Sequence, residues 1–317
     1  MVLLYILIIL IILVILVSYV CYRMAFHVKR VPISDEIVTP SGEIYDPFRA
    51  DMIRWIQEAR RMNTKDYYIS SDDGLKLHGR FYEYAPGAPI ELMFHGYRGS
   101  AERDLSGGVQ RCFLLGRSAF LVDQRCSNES DGHVISFGIN EHMDCLRWID
   151  FLIEHFGSDV KIILTGISMG ASTVMMAAGK KLPANVIGVL ADCGFNSAKD
   201  IMYSVIRDMG LPPAVSYPFV KLGASIFGHF DLESYSALEA MKTCSVPVIF
   251  FHGEADDFVP CWMSRACYEA CSAKKELVLV PGAGHGLSYP VAPERYLSAV
   301  REFFGPEASY NQAAQAN

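Results

Sequence analysis

A serine flanked by glycines is the first feature of this sequence with chemical meaning. The segment G-I-S-M-G at residues 166–170 has Ser168 at its centre, in a spacing that lets a serine hydroxyl stand clear on a sharp turn between a strand and a helix. The pattern alone is weak, because serine is also an ordinary helix N-cap. An apolar run at residues 160–165 precedes it and small residues follow it, so its context is that of a strand-to-helix turn.

An acid and a histidine follow this serine along the chain. Asp256 and Asp257 lie in an acidic loop after an apolar run, and His285 lies among glycines after the last apolar run. A serine hydroxyl is a poor nucleophile at neutral pH, so it needs a histidine to take its proton and a carboxylate to orient that histidine. Ser168, Asp256 and His285 are therefore predicted to form a catalytic triad, with Asp257 as the alternative acid.

The other histidines and the cysteines are typical of structural roles. His95 and His252 each precede a glycine at the end of an apolar run, and we expect both to hydrogen-bond the backbone. The chain has 9 cysteines without a C-x-x-C pair, a usage that fits buried thiols in a reducing compartment better than structural zinc. Because a serine triad works without one, we expect no metal and no organic cofactor.

Short apolar runs alternate with segments of helix length. Continuous apolar runs suit strands buried on both faces of a parallel sheet, so the pattern predicts a doubly wound α/β fold. These runs are residues 90–94, 119–122, 160–165, 186–191, 246–251 and 276–280. Before them, residues 67–71 and 75–82 flank an Asp-Asp-Gly turn and predict an antiparallel hairpin.

The amino terminus is a candidate transmembrane helix. Residues 2–22 contain one clearly polar side chain, Ser18. At about 1.5 Å per residue they span about 31 Å, the thickness of a bilayer's hydrocarbon core. No lysine or arginine precedes the run, which disfavours a cleavable signal peptide. Arg23, Lys29 and Arg30 follow it, so the positive-inside rule predicts a single-pass protein of the cell membrane with a cytoplasmic catalytic domain.

The rest of the chain divides into three parts. Residues 23–63 are predicted to be a juxtamembrane linker and a helix that Asp46 caps and Pro47 begins. The basic side of that helix could contact anionic headgroups, but we favour packing against the domain that follows. Residues 64–304 form the α/β domain, and residues 305–317 are predicted to be a flexible tail.

An apolar, proline-interrupted segment at about residues 195–243 is too long for a plain crossover between two strands. We expect it to form a short helical lid over Ser168 that sets the preference for acyl or leaving group. The alternative is that its side chains only cover the sheet.

Residues from about 67 to 304 resemble the α/β-hydrolase family, and within it the bacterial serine hydrolases that include esterases and S33-type aminopeptidase-like proteins. The motifs are those quoted above and H-G-Y at residues 95–97. The resemblance implies a mostly parallel central sheet with helices on both faces and a short helical lid. It also implies that the backbone amides of Tyr97 and Met169 hold an oxyanion; the Tyr97 hydroxyl is an alternative contact to substrate.

The sequence departs from this family in one loop. The family's D-x-R-G-x-G-x-S motif appears as D-Q-R-C-S-N-E-S at residues 123–130, so Cys126 and Asn128 replace two glycines. Asparagine tolerates a left-handed backbone better than cysteine does. The departure concerns the shape of the loop and affects no triad position.

Composition and motifs together define the expected function. The net charge of -7, without a basic cluster, argues against nucleic-acid binding. We expect a membrane-anchored serine hydrolase that cleaves small-molecule carboxylic esters with short to medium acyl groups through an acyl-enzyme. The alternatives are a serine aminopeptidase, an acyl thioesterase or lipase, and a non-catalytic membrane-tethered scaffold. Deleting residues 1–29 is expected to release an active soluble enzyme.

Overall fold

The centre of the molecule is an eight-stranded sheet, seen in a computed structural model that describes residues 1–29 and 34–310. The strands are β1 (Thr64–Ser70), β2 (Lys76–Tyr82), β3 (Ile90–Phe94), β4 (Ser118–Asp123), β5 (Ile162–Ile167), β6 (Val186–Asp192), β7 (Val248–Gly253) and β8 (Lys275–Val280). Their order is β1-β2-β4-β3-β5-β6-β7-β8. In this sheet β2 runs antiparallel to both neighbours, while β3 to β8 pair in parallel. The mostly parallel sheet predicted from the apolar runs is confirmed.

Helices cover both faces of this sheet because successive strand residues point to opposite sides. In β3, for example, Leu92 and Phe94 belong to one apolar core and Met93 to another. The helices are α1 (Val2–Ala25), α2 (Arg49–Arg61), α3 (Ala101–Leu114), α4 (Glu141–Phe156), α5 (Met169–Ala178), α6 (Ala198–Asp208), α7 (Pro213–Gly228), α8 (Ala237–Thr243), α9 (Trp262–Ala270), α10 (Ser288–Val291) and α11 (Pro293–Phe304). Helices α4, α5, α8 and α9 pack on the first face, and α3 and α11 on the second.

Helix α1 is long and apolar enough to cross a membrane, by length and composition. It ends at Ala25, three residues beyond the predicted end of the span. Most of it is exposed, but Ser18 and Tyr22 are buried near its carboxyl end. Within residues 1–29 and 34–310, the chain therefore carries one candidate membrane anchor, at the N-terminus, and its last turns belong to the folded domain.

The carboxyl end of α1 docks on α7 and on the loop after β3. A Cβ at Gly223 of α7 would collide with the carbonyl oxygen of Ser18, so this glycine permits close helix packing. The Tyr97 hydroxyl donates a hydrogen bond of 2.7 Å to the carbonyl oxygen of Ala25. Phe26, which follows α1, is fully buried. The helix thus continues past the predicted boundary at residue 22, and its last residues pack against the domain.

This docking changes the expected result of truncation. Deleting residues 1–29 would remove buried Tyr22 and Phe26 from the core. Removing one such aromatic side chain costs about 3 to 5 kcal/mol, a large part of the 5 to 15 kcal/mol typical of whole domains. We expect this deletion to give an unstable, inactive protein, whereas deleting residues 2–17 keeps the docked turns and the fold. Thermal unfolding of both variants in detergent checks this, and equal melting temperatures would contradict it.

The segment before β1 differs from prediction in its first turn. A short 3-10 helix at Glu43–Phe48 precedes α2 and contains Asp46. Asp46 does not cap α2; its carboxylate accepts hydrogen bonds from the Arg49 guanidinium, the shorter of them 2.6 Å. Helix α2 buries Ile56 and Ala59. It packs on α3, which agrees with the favoured interpretation that this helix packs against the domain.

The predicted flexible tail is partly wrong. Ala308 in the short 3-10 helix at Pro306–Ala308 is buried, and its carbonyl oxygen accepts a hydrogen bond of 2.6 Å from Arg117 Nε. Residues 311–317, like Arg30 in the predicted basic flank, lie outside the described residues.

The predicted lid region contains three helices with two different positions. Helices α6 and α7 join an apolar cluster that includes Tyr22, Phe26 and Met169, so they lie over the carboxyl edge of the sheet. Helix α8 instead contributes Ala237 and Met241 to the main core. The lid interpretation therefore fits the position of α6 and α7, and the sheet-covering interpretation fits that of α8.

Candidate active site

Ser168 occupies the turn between β5 and α5 with a backbone conformation that L residues rarely adopt. Its φ is 55° and its ψ is -121°, a strained geometry of the kind found at functional sites. A Cβ at Gly166 would collide with the backbone of Gly170, and a Cβ at Gly170 with the carbonyl oxygen of Phe94. Both glycines are therefore required for this turn. The serine side chain makes no capping bond to α5, so the N-cap interpretation fails.

A chain of hydrogen bonds joins the three predicted triad residues. His285 Nε2 lies 2.9 Å from Ser168 Oγ, and His285 Nδ1 lies 2.8 Å from Asp256 Oδ2. Since a carboxylate only accepts, Nδ1 carries the proton and Nε2 is left to accept from the serine hydroxyl. The three residues follow β5, β7 and β8, whose parallel carboxyl ends meet at one edge of the sheet. This is the arrangement in which a serine can lose its proton during attack.

Asp256 is held as an anion in a buried position. Burial alone would raise its pKa, but hydrogen bonds from His252 and His285 and from the Val259 amide outweigh this and hold the pKa at about 2. Its Oδ1 accepts hydrogen bonds from the backbone amides of Phe258 at 3.0 Å and Val259 at 2.9 Å. The neighbouring Asp257 is exposed, so it is Asp256 that faces the imidazole.

The two other histidines of interest serve the loops around the site. His95 Nδ1 donates to the Gly96 carbonyl oxygen at 2.8 Å, and its Nε2 accepts from the Gln124 amide at 3.1 Å. His252 Nε2 lies 2.8 Å from the Val259 carbonyl oxygen and 3.3 Å from Asp256 Oδ2. Both side chains are buried, as a structural role requires.

The two predicted oxyanion donors flank Ser168. Met169 is the first residue of α5, where the amide N–H has no acceptor within the helix. Tyr97 lines both cavities that reach Ser168. The preceding Gly96 packs against the serine, since a Cβ there would lie 3.8 Å from Ser168 Oγ. The Tyr97 hydroxyl is engaged by the Ala25 carbonyl oxygen, which leaves the amide as the group available to a substrate.

The loop that lacks two family glycines keeps a left-handed backbone at both positions. Cys126 has a φ of 72° and Asn128 a φ of 42°. The Asn128 side chain donates a hydrogen bond of 3.0 Å to Asp123 Oδ1, and buried Arg125 pairs with Asp144 at 2.7 Å. These contacts stabilise a conformation that costs about 1 to 2 kcal/mol at a residue other than glycine.

Two cavities meet at Ser168. The larger, of about 360 Å³, is almost wholly apolar. Its wall comes from α6, α7, the loops around Phe137, Phe195 and Phe258, and three residues of α1, namely Cys21, Met24 and Ala25. The smaller, of about 210 Å³, is lined by apolar residues together with Tyr45, Arg103, Asp104 and Asp192. The site thus has two compartments, one apolar and the other of higher polarity, which suit the acyl part and the leaving group of a substrate.

Sequence reasoning missed several of these wall residues. The Tyr45 hydroxyl donates a hydrogen bond of 3.0 Å to the His285 carbonyl oxygen, and the Phe258 ring lies 5.1 Å from the His285 ring. Phe258 could have been found from its place inside the acidic loop. Tyr45 and Met24 carry no local signal, because they come from segments far from the triad in the chain.

Cys193 lies beside the triad and has to be considered as a metal ligand. Its sulfur lies within 4.8 Å of an Asp256 carboxylate oxygen and of a ring nitrogen of His285, atoms that together could hold an ion. Burial raises the pKa of this thiol well above its usual range, so it is a neutral and poor ligand. An ion would also have to break the 2.8 Å hydrogen bond between His285 and Asp256. The donor set fits a proton-transfer triad better than a metal centre.

Comparison with known proteins places the chain among hydrolases. The model of the prolyl oligopeptidase family matches residues 136–309, more than half of the chain. The Bacillus subtilis protein YqkD is 26% identical over 77% of this chain and 80% of its own length. The Schizosaccharomyces pombe protein bem46 is 28% identical over 72% of this chain and 70% of its own length.

Solved structures of esterases share the fold. An esterase from Pyrococcus furiosus superposes with a TM-score of 0.64 and 20% identity, covering 87% of this chain and 97% of that one. Est1E from Butyrivibrio proteoclasticus, solved with ferulic acid bound, gives a TM-score of 0.57 and 21% identity, covering 75% of this chain and 97% of that one. The α/β-hydrolase fold implied by the motifs is thereby confirmed.

Proposed function

Because the chain belongs to the prolyl oligopeptidase family and has the α/β-hydrolase fold, we propose that it is a membrane-anchored serine hydrolase that cleaves carboxylic esters. The observation that carries the proposal is the continuous hydrogen-bonded chain from Ser168 Oγ through His285 to Asp256. Strain of this kind costs free energy and persists only where the surrounding structure enforces it. A non-catalytic scaffold would gain nothing from the strained serine turn that offsets this cost.

The proposed reaction has two halves. His285 Nε2 takes the proton of Ser168 as Oγ bonds to the ester carbonyl carbon, and the imidazolium then protonates the departing alcohol. Water loses a proton to the same nitrogen, attacks the acyl-enzyme, and releases the acid and the free serine. Asp256 keeps Nδ1 protonated and stabilises the imidazolium throughout, a role that suits a carboxylate with a pKa of about 2.

The backbone amides of Tyr97 and Met169 are the proposed oxyanion donors. Loss of one such donor costs roughly 3 to 4 kcal/mol of transition-state stabilisation in comparable hydrolases. Asp104 supports the first of them, because its Oδ2 accepts a hydrogen bond of 3.0 Å from the Gly96 amide and so fixes the loop that presents Tyr97. Arg103 in turn pairs with Asp104 at 2.6 Å.

Peptide cleavage is the second candidate, because the matching family model is named for a peptidase. An aminopeptidase needs a carboxylate that is free to bind the substrate's ammonium group. In the described walls of the two cavities the carboxylates are Asp104, which is bound by Arg103 and Gly96, and Asp192, which accepts a hydrogen bond of 2.8 Å from Ser288. Both are engaged, and we therefore favour ester over peptide substrates.

We predict a defined dependence on acyl length for water-soluble esters. Each buried methylene contributes about 0.8 kcal/mol at best, and the apolar cavity of about 360 Å³ lies directly beside Ser168. For p-nitrophenyl esters, kcat/KM is expected to rise from acetyl to butyryl or hexanoyl and then to level or fall. A charged acyl group should be a poor substrate. Rapid release of N-terminal residues from peptides without ester turnover would instead favour the aminopeptidase.

The proposed location is the cell membrane, with α1 as a single span. Arg23 and Lys29 follow the apolar run, so the catalytic domain is proposed to face the cytoplasm. A reporter fused after Asn317 tests this orientation: it should be protected from protease added outside intact cells. Digestion of the reporter in intact cells would reverse the orientation and leave the chemistry unaffected.

A further inference from the structure

The carboxyl end of the candidate anchor is a wall of the apolar cavity at Ser168. Cys21, Met24 and Ala25 are spaced i, i+3 and i+4, so they share one face of α1, and all three line the cavity. The adjacent face, with Ser18 and Tyr22, packs on α7. The helix is therefore not a tether at a distance from the site but one side of it.

The length of α1 sets the level of this wall relative to a bilayer. A hydrocarbon core of about 30 Å is crossed by about 20 helical residues, which places the core at residues 2–21. Met24 and Ala25 then lie at the boundary between acyl chains and headgroups. Tyr22 falls in the same zone, where tyrosine is enriched in membrane proteins. On this placement, the part of the cavity wall formed by Met24 and Ala25 lies near the ester groups of the adjoining leaflet.

The exposed lining of the cavity is mostly apolar. Four of its lining residues are large hydrophobic side chains that are about half exposed: Met24 at 55%, Met209 at 52%, Leu211 at 47% and Phe258 at 45%. The exposed cation in this lining, Arg98, donates a hydrogen bond to the Met24 carbonyl oxygen. Met209 and Leu211 belong to the turn between α6 and α7 and line the same cavity as Met24 of the anchor. Exposed apolar side chains grouped around an opening are typical of a surface that meets lipid or an apolar ligand. Near the anchor, lipid is the medium they would contact.

We propose that this cavity takes the acyl chain of an ester that is already embedded in the membrane, which enters sideways between α1 and the α6–α7 turn. The inference rests on the proposed ester hydrolysis and adds the source of the substrate. The acyl chain of the ester then moves from the bilayer into the cavity without crossing water. The ester carbonyl reaches Ser168, and the leaving group occupies the smaller cavity with Tyr45 and Arg103. A chain longer than the cavity can extend back through the mouth beside α1.

The test uses full-length protein reconstituted into phosphatidylcholine vesicles. Turnover is measured for p-nitrophenyl hexadecanoate dissolved in the vesicles and for p-nitrophenyl acetate in the water outside. Met24→Trp fills the mouth from the anchor side, and we expect it to lower the ratio of hexadecanoate to acetate turnover at least tenfold. Ala25→Leu is a milder variant at the same wall and should lower the ratio in the same direction. Leu13→Trp, on an exposed part of α1 outside the cavity, is the matched control and should keep the ratio within twofold.

A second arm separates delivery by the bilayer from binding of free esters. The variant lacking residues 2–17 keeps the cavity wall but lacks the span. It should cleave soluble p-nitrophenyl hexanoate at the full-length rate and lose at least tenfold on the vesicle-embedded ester. Equal turnover of the embedded ester by both forms, or an unchanged ratio in Met24→Trp, would overturn the inference. Failure of the wild-type protein to cleave any ester would instead overturn the proposed function.

Discussion

Ser168→Ala is expected to lower kcat by about a millionfold, because the nucleophile and the proton transfer that activates it are lost together. The residual rate would come from substrate binding and the oxyanion donors alone. The substitution removes one hydroxyl and its hydrogen bond to His285 Nε2, and it leaves the backbone of the turn unchanged, so the fold should persist. Hydrolysis of p-nitrophenyl butyrate and labelling by a fluorophosphonate probe measure the effect.

The matched control for this variant is Ser172→Ala. Ser172 lies one turn further along α5, where its buried hydroxyl donates a hydrogen bond of 2.8 Å to the Phe195 carbonyl oxygen and accepts one of 2.9 Å from the Phe195 amide. Labelling and turnover should survive this change, with a loss of stability of about 1 to 3 kcal/mol because the buried Phe195 amide loses its partner. Labelling of a folded Ser168→Ala protein would show that the nucleophile is elsewhere.

Asp256→Asn is expected to lower kcat by about ten-thousandfold, whereas Asp257→Asn should change it by less than about threefold. Asparagine at 256 can donate to His285 Nδ1, which favours the imidazole tautomer that cannot accept the serine proton. It also removes the negative charge that stabilises the imidazolium. Asp257 is exposed and makes no contact with the imidazole, so its charge acts only through solvent.

The pair of aspartate variants is measured at one pH with a saturating ester. Near-equal losses in the two variants would mean that the loop rearranges so that either carboxylate can face His285. A larger loss in Asp257→Asn would move the acid by one residue and contradict the geometry in which Asp256 Oδ2 lies 2.8 Å from His285 Nδ1.

The sheet and the order of the triad residues could be predicted because their signals are local. A strand buried on both faces must be largely apolar, and the run at residues 119–122 lies within β4 for this reason. Ser168 was recognisable because Gly166 and Gly170 are forced by backbone contacts that any such turn makes. His285 and Asp256 follow strands whose ends meet in a parallel sheet, so order along the chain was enough to bring them together.

The walls of the site could not be predicted, because they depend on contacts between distant segments. Nothing near Met24 in the sequence indicates that it faces the same cavity as Met202 on the lid. The apolar run at residues 2–22 predicts a membrane span whether or not its last turns dock on a domain. Gly223 is a local trace of that docking, but a glycine within a helical segment does not indicate which distant helix packs against it.

The left-handed loop at residues 123–130 shows a second limit of sequence reasoning. Two glycines occupy this loop in the motif of the α/β-hydrolase family. In this chain Cys126 and Asn128 stand at those positions, and both have the positive φ that glycine favours. The buried ion pair between Arg125 and Asp144 holds the loop from outside its own sequence. Tertiary contacts thus replace a local preference that would otherwise have been decisive.

The most direct test of the proposed triad is the identity of the residue that reacts with a fluorophosphonate. Full-length protein in detergent is treated with the probe, digested, and analysed by peptide mass spectrometry. We predict one stoichiometric adduct, on Ser168, whose formation is slowed while an excess of a hexanoyl ester is present and is abolished by heat unfolding. An adduct on another serine, or native protein that stays unmodified while it hydrolyses esters, would contradict the assignment of Ser168 as the nucleophile.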